Sequence, residues 1–300
     1  MRIRCCRHTL FLSIAATSIL LTTSAVSLAA DTRYGFNAEW MRDANINRAA
    51  YAGEEQSDNI LSVEGYAARS VRLSNQGGIV SSGGLRLRQH VEFADLNQIA
   101  LTGRLAYRIQ PTPGFTSPWL EVAGAFELLR HRDSSLRDGT VFSGSVSAGK
   151  YLTDRVRIGA AIGLDRRNGR DGELFDLATT RLGVNVDYRA TQKVSVYGSL
   201  NWIRGDHVFT ANYSPAQTAL IPYSDVIVGD PAFAKAFGGA PATAYRLKAR
   251  TLLYEFGVNV PIAGNQALDF GFAMFDSRAD SGGGKYDGTL LRAGYLYRFD

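Results

Sequence analysis

An alternation of period two, starting at Tyr34 and recurring to Phe299, constrains this 300-residue chain most. Successive side chains on a β-strand point to opposite faces, so each run reads as a strand with one apolar and one polar face. Tyr34, Phe36, Ala38 and Trp40 oppose Asn37 and Glu39; Leu61, Val63, Gly65 and Ala67 oppose Ser62, Glu64, Tyr66 and Ala68. Like runs follow around Leu85–Phe93, Ile99–Tyr107, Leu120–Leu128, Phe142–Ala148, Val156–Leu164, Leu182–Tyr188, Val194–Trp202, Leu252–Val258 and Leu268–Met274. In the final run, Ala293, Tyr295, Tyr297 and Phe299 oppose Arg292, Gly294 and Arg298. That makes about twelve strands, each near the ~9–11 residues that cross a bilayer at a tilt. An even count returns both ends of the chain to one side.

Residues 1–30 read as a cleaved signal peptide. Arg2, Arg4 and Arg7 precede an apolar core from Leu10 to Leu21, and Ser27-Leu28-Ala29-Ala30 supplies small residues for cleavage. This leader holds three of the 33 Lys and Arg and none of the 28 Asp and Glu, so its removal takes the formal net charge from +5 to +2. The remaining charge points to no nucleic-acid partner. Cys5 and Cys6 both lie before the apolar core, on the wrong side for lipid attachment. Beyond the leader, no stretch approaches the ~18 apolar residues of a membrane helix. A membrane protein without such a helix is a closed barrel.

A soluble β-sandwich also alternates. Three features favour a barrel. The polar face is rich in Gly, Ala, Ser and opposite charges. The runs continue without a domain break over 31–300. Aromatics gather near strand ends, as in interfacial girdles: Trp40 and Trp202 on one side, Tyr107, Trp119, Tyr188, Tyr295 and Tyr297 on the other. Tight turns at Thr153-Asp154, Thr191-Gln192 and Ala263-Gly264 alternate with longer connections, 44–57 and 208–244 being the longest. Short periplasmic turns and longer extracellular loops are the barrel pattern. The 74–82 connection is long for such a turn, and 95–97 is short for an outer loop. Arg69, Gln89 and Lys150 fall on the apolar parity, which means either an interfacial position or a bulge, and Leu247 conflicts in parity with Leu252.

The closing strand, Arg292 to Phe299, resembles the last strand of Gram-negative outer-membrane β-barrels. In that family it is also the tag read by the barrel-assembly machinery. The resemblance assigns the tag to Gly294, Tyr295, Tyr297 and Phe299; Asp300 departs from it, because the family ends on the aromatic. The fold class expected is therefore all-β: a single transmembrane antiparallel barrel of about twelve strands, in the outer membrane, with outer-membrane lipid, lipopolysaccharide and the assembly machinery as partners.

The expected lumen face carries Arg72, Arg86, Arg88, Arg104, Arg108, Arg157, Arg181 and Arg292, with Glu121, Glu127 and Asp187. The first five arginines could form a basic wall braced by carboxylates of the fifth strand. Guanidinium pairs carboxylate or phosphate through two bonds, so such a wall suits anionic solutes. The alternative is that these charges cross-link and plug the interior. Within 208–244, Asp230-Pro231 and Gly238-Gly239 bracket a short capped helix that could fold into the mouth. Asp43-Ala44-Asn45-Ile46-Asn47 has the oxygen spacing of a calcium loop, but Arg48 stands where glycine is needed, so neither a metal nor another cofactor is expected. A lipid-modifying enzyme would need serine and histidine on the lipid-facing surface near a rim. His131-Arg132-Asp133-Ser134-Ser135 and Asp206-His207 have the residue types and read as surface loops, while His90 falls on the lumen parity. An autotransporter-type barrel shares the strand number but expects a passenger ahead of the first strand. The leading expectation is a passive channel for small solutes, with anions as candidates. A non-conducting structural or surface-interaction barrel comes second and a lipid-modifying enzyme third.

Overall fold

The computed structural model describes residues 31–300 apart from 51–52, 113, 213–220, 240–241, 283 and 300. The leader lies outside the described residues. Its strands are β1 (Asp31–Asp43), β2 (Asp58–Arg72), β3 (Gly77–His90), β4 (Gln98–Ile109), β5 (Trp119–His131), β6 (Gly139–Tyr151), β7 (Val156–Gly169), β8 (Leu177–Arg189), β9 (Ser195–Ala211), β10 (Ile227–Asp230), β11 (Ala242–Ala263), β12 (Gln266–Ala279) and β13 (Lys285–Phe299). Twelve of them form a closed antiparallel ring, because β9 pairs with β11 and β13 returns to β1. The four-residue β10 stands outside the ring, on the edge of β11 above the end of β12.

Closure follows from the alternation. Leu85, Leu101, Val122, Ile162, Leu182 and Phe256 face outward and are about half exposed, while the opposite parity faces the interior. The ring shuts through ten register pairs, Tyr34↔Phe299 to Asp43↔Leu290. On the lipid side of this seam, the Phe36 ring lies 5.9, 5.4 and 6.2 Å from Tyr295, Tyr297 and Phe299. The closing aromatics are thus a packed seam, worth roughly 0.5–1.5 kcal/mol per pair beyond their area.

Several parity conflicts have physical explanations. Arg69, Gln89 and Lys150 do face outward, and no register shift interrupts β2, β3 or β6. They sit near strand ends, where an outward cation costs about 0–1 kcal/mol rather than the ~2–4 of mid-bilayer. Leu247 faces inward, with Leu253, because the outer part of the interior is dry. Trp119 leaves the girdle assigned to it: it points into the lumen, and the Arg108 guanidinium lies 4.4 Å from the centre of its ring. The β2–β3 turn is short after all, since β3 begins at Gly77. The longest loop is narrower than 208–244, because β9 runs on to Ala211 and β11 starts at Ala242.

Those two strands outgrow their neighbours. Pairing of β8 with β9 ends at Thr179↔Gly205, and beyond it every residue from His207 to Ala211 is buried, whichever face it occupies. The hairpin therefore bends over the mouth at Gly205. Gly205 has φ +143, and a Cβ there would lie 2.1 Å from the Ala178 carbonyl oxygen. Only glycine fits. Gly205→Ala is expected to cost at least about 1–3 kcal/mol. The temperature at which the folded form disappears from unheated gels should drop; an unchanged temperature contradicts the bend.

Candidate functional site: the lumen and its outer lid

The short turns and both described ends of the chain lie on one side, which the barrel rule makes periplasmic; the opposite mouth is extracellular. Three outer loops share one frame. His90, His131 and Gly169 each donate the backbone N–H to a side-chain oxygen seven residues later, on Asn97, Asp138 and Asp176. Each loop holds a short 3-10 turn, at Ala94–Leu96, Ser135–Arg137 and Glu173–Phe175. The last residue of each turn, Leu96, Arg137 or Phe175, points into the mouth with 1% of its surface exposed.

These side chains join a buried core in the outer half of the barrel. The ring contributes Met41, Ile60, Phe209, Tyr245, Leu253, Phe275, Tyr286 and Leu290. The loops contribute Ile46, Phe93, Leu174, Ala232 and Phe233. Phe93 meets Phe233 at 4.9 Å, and Phe209 packs edge-on against Tyr286 at the same spacing. The capped segment at 230–238 takes the form read from its sequence, as a 3-10 helix. Asp230 accepts from the Ala232 N–H, Pro231 opens the turn, and Gly238 closes it at φ 70.

Asp230 is also the clasp of this lid. Arg137 donates through both terminal nitrogens to the Asp230 carboxylate, and one of them also reaches Ser134 Oγ at 2.8 Å. Thr210 Oγ1 adds a bond of 3.3 Å to the same carboxylate. Arg137 lies over the rings of Phe175 and Phe233, and its carbonyl accepts from Arg167. A second clasp ties the lid to the β7–β8 loop: Arg246 donates to Asp225 and to the carbonyls of Glu173 and Asp176. From the first loop, Arg48 pairs with Asp43, both 1% exposed, and stacks 4.5 Å from the Phe275 ring. Asn47 exchanges two hydrogen bonds with Thr210, fastening that loop to the bent hairpin. The oxygens of Asp43, Asn45 and Asn47 are all engaged within the protein. Among the described residues, no group of His, Cys, Asp and Glu is arranged to hold a metal.

The described histidines, His90, His131 and His207, are buried. His131 is bonded to Asp138, and Ser134 is buried against Arg137. His207 Nδ1 meets the Tyr286 hydroxyl at 3.0 Å, and His90 pairs with Asp58 at 2.9 Å. All three point inward because the mouth is filled, so none of them stands on the lipid-facing surface.

Below this core the lumen is charged. Arg86 pairs with Glu127, and Arg104 and Arg108 share the two oxygens of Glu121. Arg88 is buried farther up β3. Arg157 pairs with Asp187 at 2.9 Å, and Arg181 reaches Asp165 at 3.7 Å. Arg292 lies between Glu39, Asp269 and the Tyr197 hydroxyl. Arg72 is apart from this set: it turns to the carbonyls of Ser74 and Asn75 at the periplasmic rim. Gly294 faces the lumen, whereas Tyr295, Tyr297 and Phe299 lie on the seam's lipid face. Beside the basic wall, on β5, β6 and β7, Ala123, Ala125, Ser143, Ser145, Ser147, Gly159 and Ala161 face inward yet stay partly exposed.

Sequence reasoning missed Arg137, Asp138, Asn97 and Phe175. The signal was present as a recurring eight-residue frame ending in Asn or Asp: His90 to Asn97, His131 to Asp138 and Gly169 to Asp176.

The lid's charge balance sets a pH dependence. Burial pushes the Asp230 carboxyl up, but the Arg137 charge and its hydrogen bonds outweigh burial, leaving it below the ordinary 3.8. A depressed carboxyl contributes stability that is whole above its unfolded value and is lost as pH falls through the folded value. The lid should hold from neutral pH to about pH 4 and loosen only in stronger acid. Hydrogen exchange over 227–237 checks this; equal protection at pH 6 and in strong acid contradicts it. Asp230→Ala leaves Arg137 buried and unpaired, which should cost about 3–5 kcal/mol and abolish the pH dependence.

No protein-family model and no curated protein sequence matches the chain. Solved structures do. An outer membrane channel from Pseudomonas putida F1 superposes with a TM-score of 0.57 at 9% identity, over 93% of this chain and 98% of that one. The NanC porin covers 87% of this chain and 98% of its own at 10% identity, with a TM-score of 0.45. The translocator domain of the autotransporter NalP from Neisseria meningitidis covers 98% and 96% at 9% identity, with a TM-score of 0.43. A closed ring of twelve strands, superposing on the Pseudomonas barrel over nearly its whole length, gives this chain the fold of an outer-membrane β-barrel.

Proposed function

We propose that the protein is a passive outer-membrane channel for small polar solutes, held shut in this conformation by the lid at its outer mouth. The observation that carries the reading is the wall of β5, β6 and β7. Its Ala, Ser and Gly residues face inward and yet remain accessible. An inward residue can be accessible only to space inside the barrel, which supports a wet well beneath the sealed core. An interior closed by cross-linked charges alone would bury that wall as well.

A preference for anions has its own support. At the lower end of the basic wall, two guanidinium groups share one carboxylate, Glu121, and both arginine side chains are partly exposed, 17% and 29%. That corner carries an excess positive charge in a low-dielectric wall, which concentrates anions. The second reading, a non-conducting structural barrel, draws on the close packing of the lid itself. A lipid-modifying site has less support, because His90, His131 and His207 all point inward.

Planar-bilayer conductance separates the readings. Wild type should pass little current. A variant with 212–241 replaced by a short Gly-Ser turn should conduct steadily, with a reversal potential in a salt gradient that favours anions. Adding Arg104→Gln and Arg108→Gln to that variant should move the reversal potential toward cations. A lid-deleted protein that migrates as a folded barrel and passes no current would overturn the channel.

A further inference from the structure

The outward face of β9, β11, β12 and β13 carries an unusual register. Arg204 stands directly across from Arg250, Arg250 from Arg278, and Arg278 from Lys285. Neighbouring strands lie about 4.8 Å apart, so four cations fall in one line roughly 14 Å long. Like charges directly opposite on a sheet destabilise it. Their side chains are 49–70% exposed. Elsewhere outward rim arginines stand singly: Arg130 faces Ile99, and Arg166 lies between Phe142 and Ala178.

Height on the barrel gives the row its meaning. Two residues down the same strands come Trp202 and Leu252, with Asp276 and Asp287 beside them on β12 and β13; below lie Leu200, Tyr254 and Met274, then Phe256 and Phe272. The cations therefore cap the lipid-facing apolar band on the extracellular side, at the level of the outer leaflet's headgroups. Three aspartates neighbour the row: Asp280 reaches Arg204 at 3.6 Å, and Lys285 lies 3.5 and 3.7 Å from Asp276 and Asp287, so four cations and three carboxylates leave one net positive charge. Arg250 gives Nε to Asp280 at 2.8 Å, and Arg278 gives Nε to Asp276 at 3.3 Å. Asp280 and Asp276 so orient one guanidinium each, and no described contact takes the terminal nitrogens of Arg250 or Arg278. An oriented fork with two free donors matches a phosphate monoester or diester.

We infer that this row is a binding site for the phosphate groups of the outer leaflet's glycolipid, lipopolysaccharide, with Arg250 and Arg278 as the central phosphate ligands and Arg204 and Lys285 flanking them. Bound phosphate takes the terminal nitrogens that the aspartates leave and offsets the remaining net positive charge. The inference depends on membrane insertion and not on conduction, so a barrel that proved non-conducting would leave it standing.

The test uses the full-length protein purified in detergent, with lipopolysaccharide binding followed by native mass spectrometry. Arg250→Gln with Arg278→Gln should weaken binding about 10- to 30-fold, given roughly 1 kcal/mol per cation beside an anionic lipid surface. Arg130→Gln with Arg166→Gln, elsewhere on the rim, should leave it unchanged. Lipopolysaccharide stripped of its phosphates should bind wild type as weakly as intact lipid binds the first variant. Equal losses in both variant pairs, no loss in the first, or phosphatidylglycerol competing on equal terms would each overturn the site. If the first variant fails to reach the heat-modifiable folded form, Arg278→Gln with Lys285→Gln carries the same expectation.

Discussion

Hydrocarbon offers no hydrogen bonds, so every backbone N–H and C=O that crosses it must find a partner in the protein. The whole structure depends on that constraint. An open sheet would leave two bare edges in lipid, and closing β1 on β13 removes both at once. The seam where this happens is packed with aromatics on the lipid face, Phe36 being set among Tyr295, Tyr297 and Phe299. The alternation then follows: the outward parity has to be apolar, and polar side chains have only the interior and the rims. What distinguishes this barrel is how it fills the interior that closure creates.

It does so in two ways along its height. In the lower part, arginines and carboxylates from neighbouring strands pair along the wall, and small inward residues on the adjoining strands β5, β6 and β7 stay partly exposed. In the outer part, the interior is packed like a soluble protein's core, with Phe209, Tyr245, Phe275 and Tyr286 from the ring meeting Phe93, Phe175 and Phe233 from the loops. The ion pairs inside that dry region, Arg137–Asp230 and Arg48–Asp43, are each 1% exposed. Replacing such pairs with apolar groups is often neutral or stabilising, whereas removing one partner is costly. Their value lies in specifying where the lid docks: an apolar lid could slide, but a two-pronged salt bridge at a fixed site cannot.

The ring was legible in the sequence because lipid imposes period two on every strand, and in the lower barrel water in the lumen imposes the complementary polarity. The outer half was not legible for the converse reason. There the interior is apolar too, so Leu247, Leu253, Phe275 and Leu290 break the polar parity and read as conflicts or go unassigned. His131 and His207 look like exposed loop residues by their sequence neighbours; they are buried because they end β5 and extend β9 on the inward face, under loops that fold into the mouth. The frame His131 to Asp138 could place Arg137 in a loop turn, but nothing local could pair it with Asp230, 93 residues away. The helix cap at Asp230 was readable, since capping needs only neighbours in sequence, while the clasp made by the same carboxylate was not.

The most direct measurement asks from which side the lumen can be reached. The chain's only cysteines are Cys5 and Cys6, in the segment read as a leader, so a cysteine introduced at Ser145 gives a single reporter on the accessible wall beneath the lid. A membrane-impermeant maleimide should label Ser145→Cys readily when given periplasmic access and barely at all when added outside intact cells. Rapid labelling from outside, at the rate seen from the periplasm, would contradict a sealed outer mouth above a wet lumen.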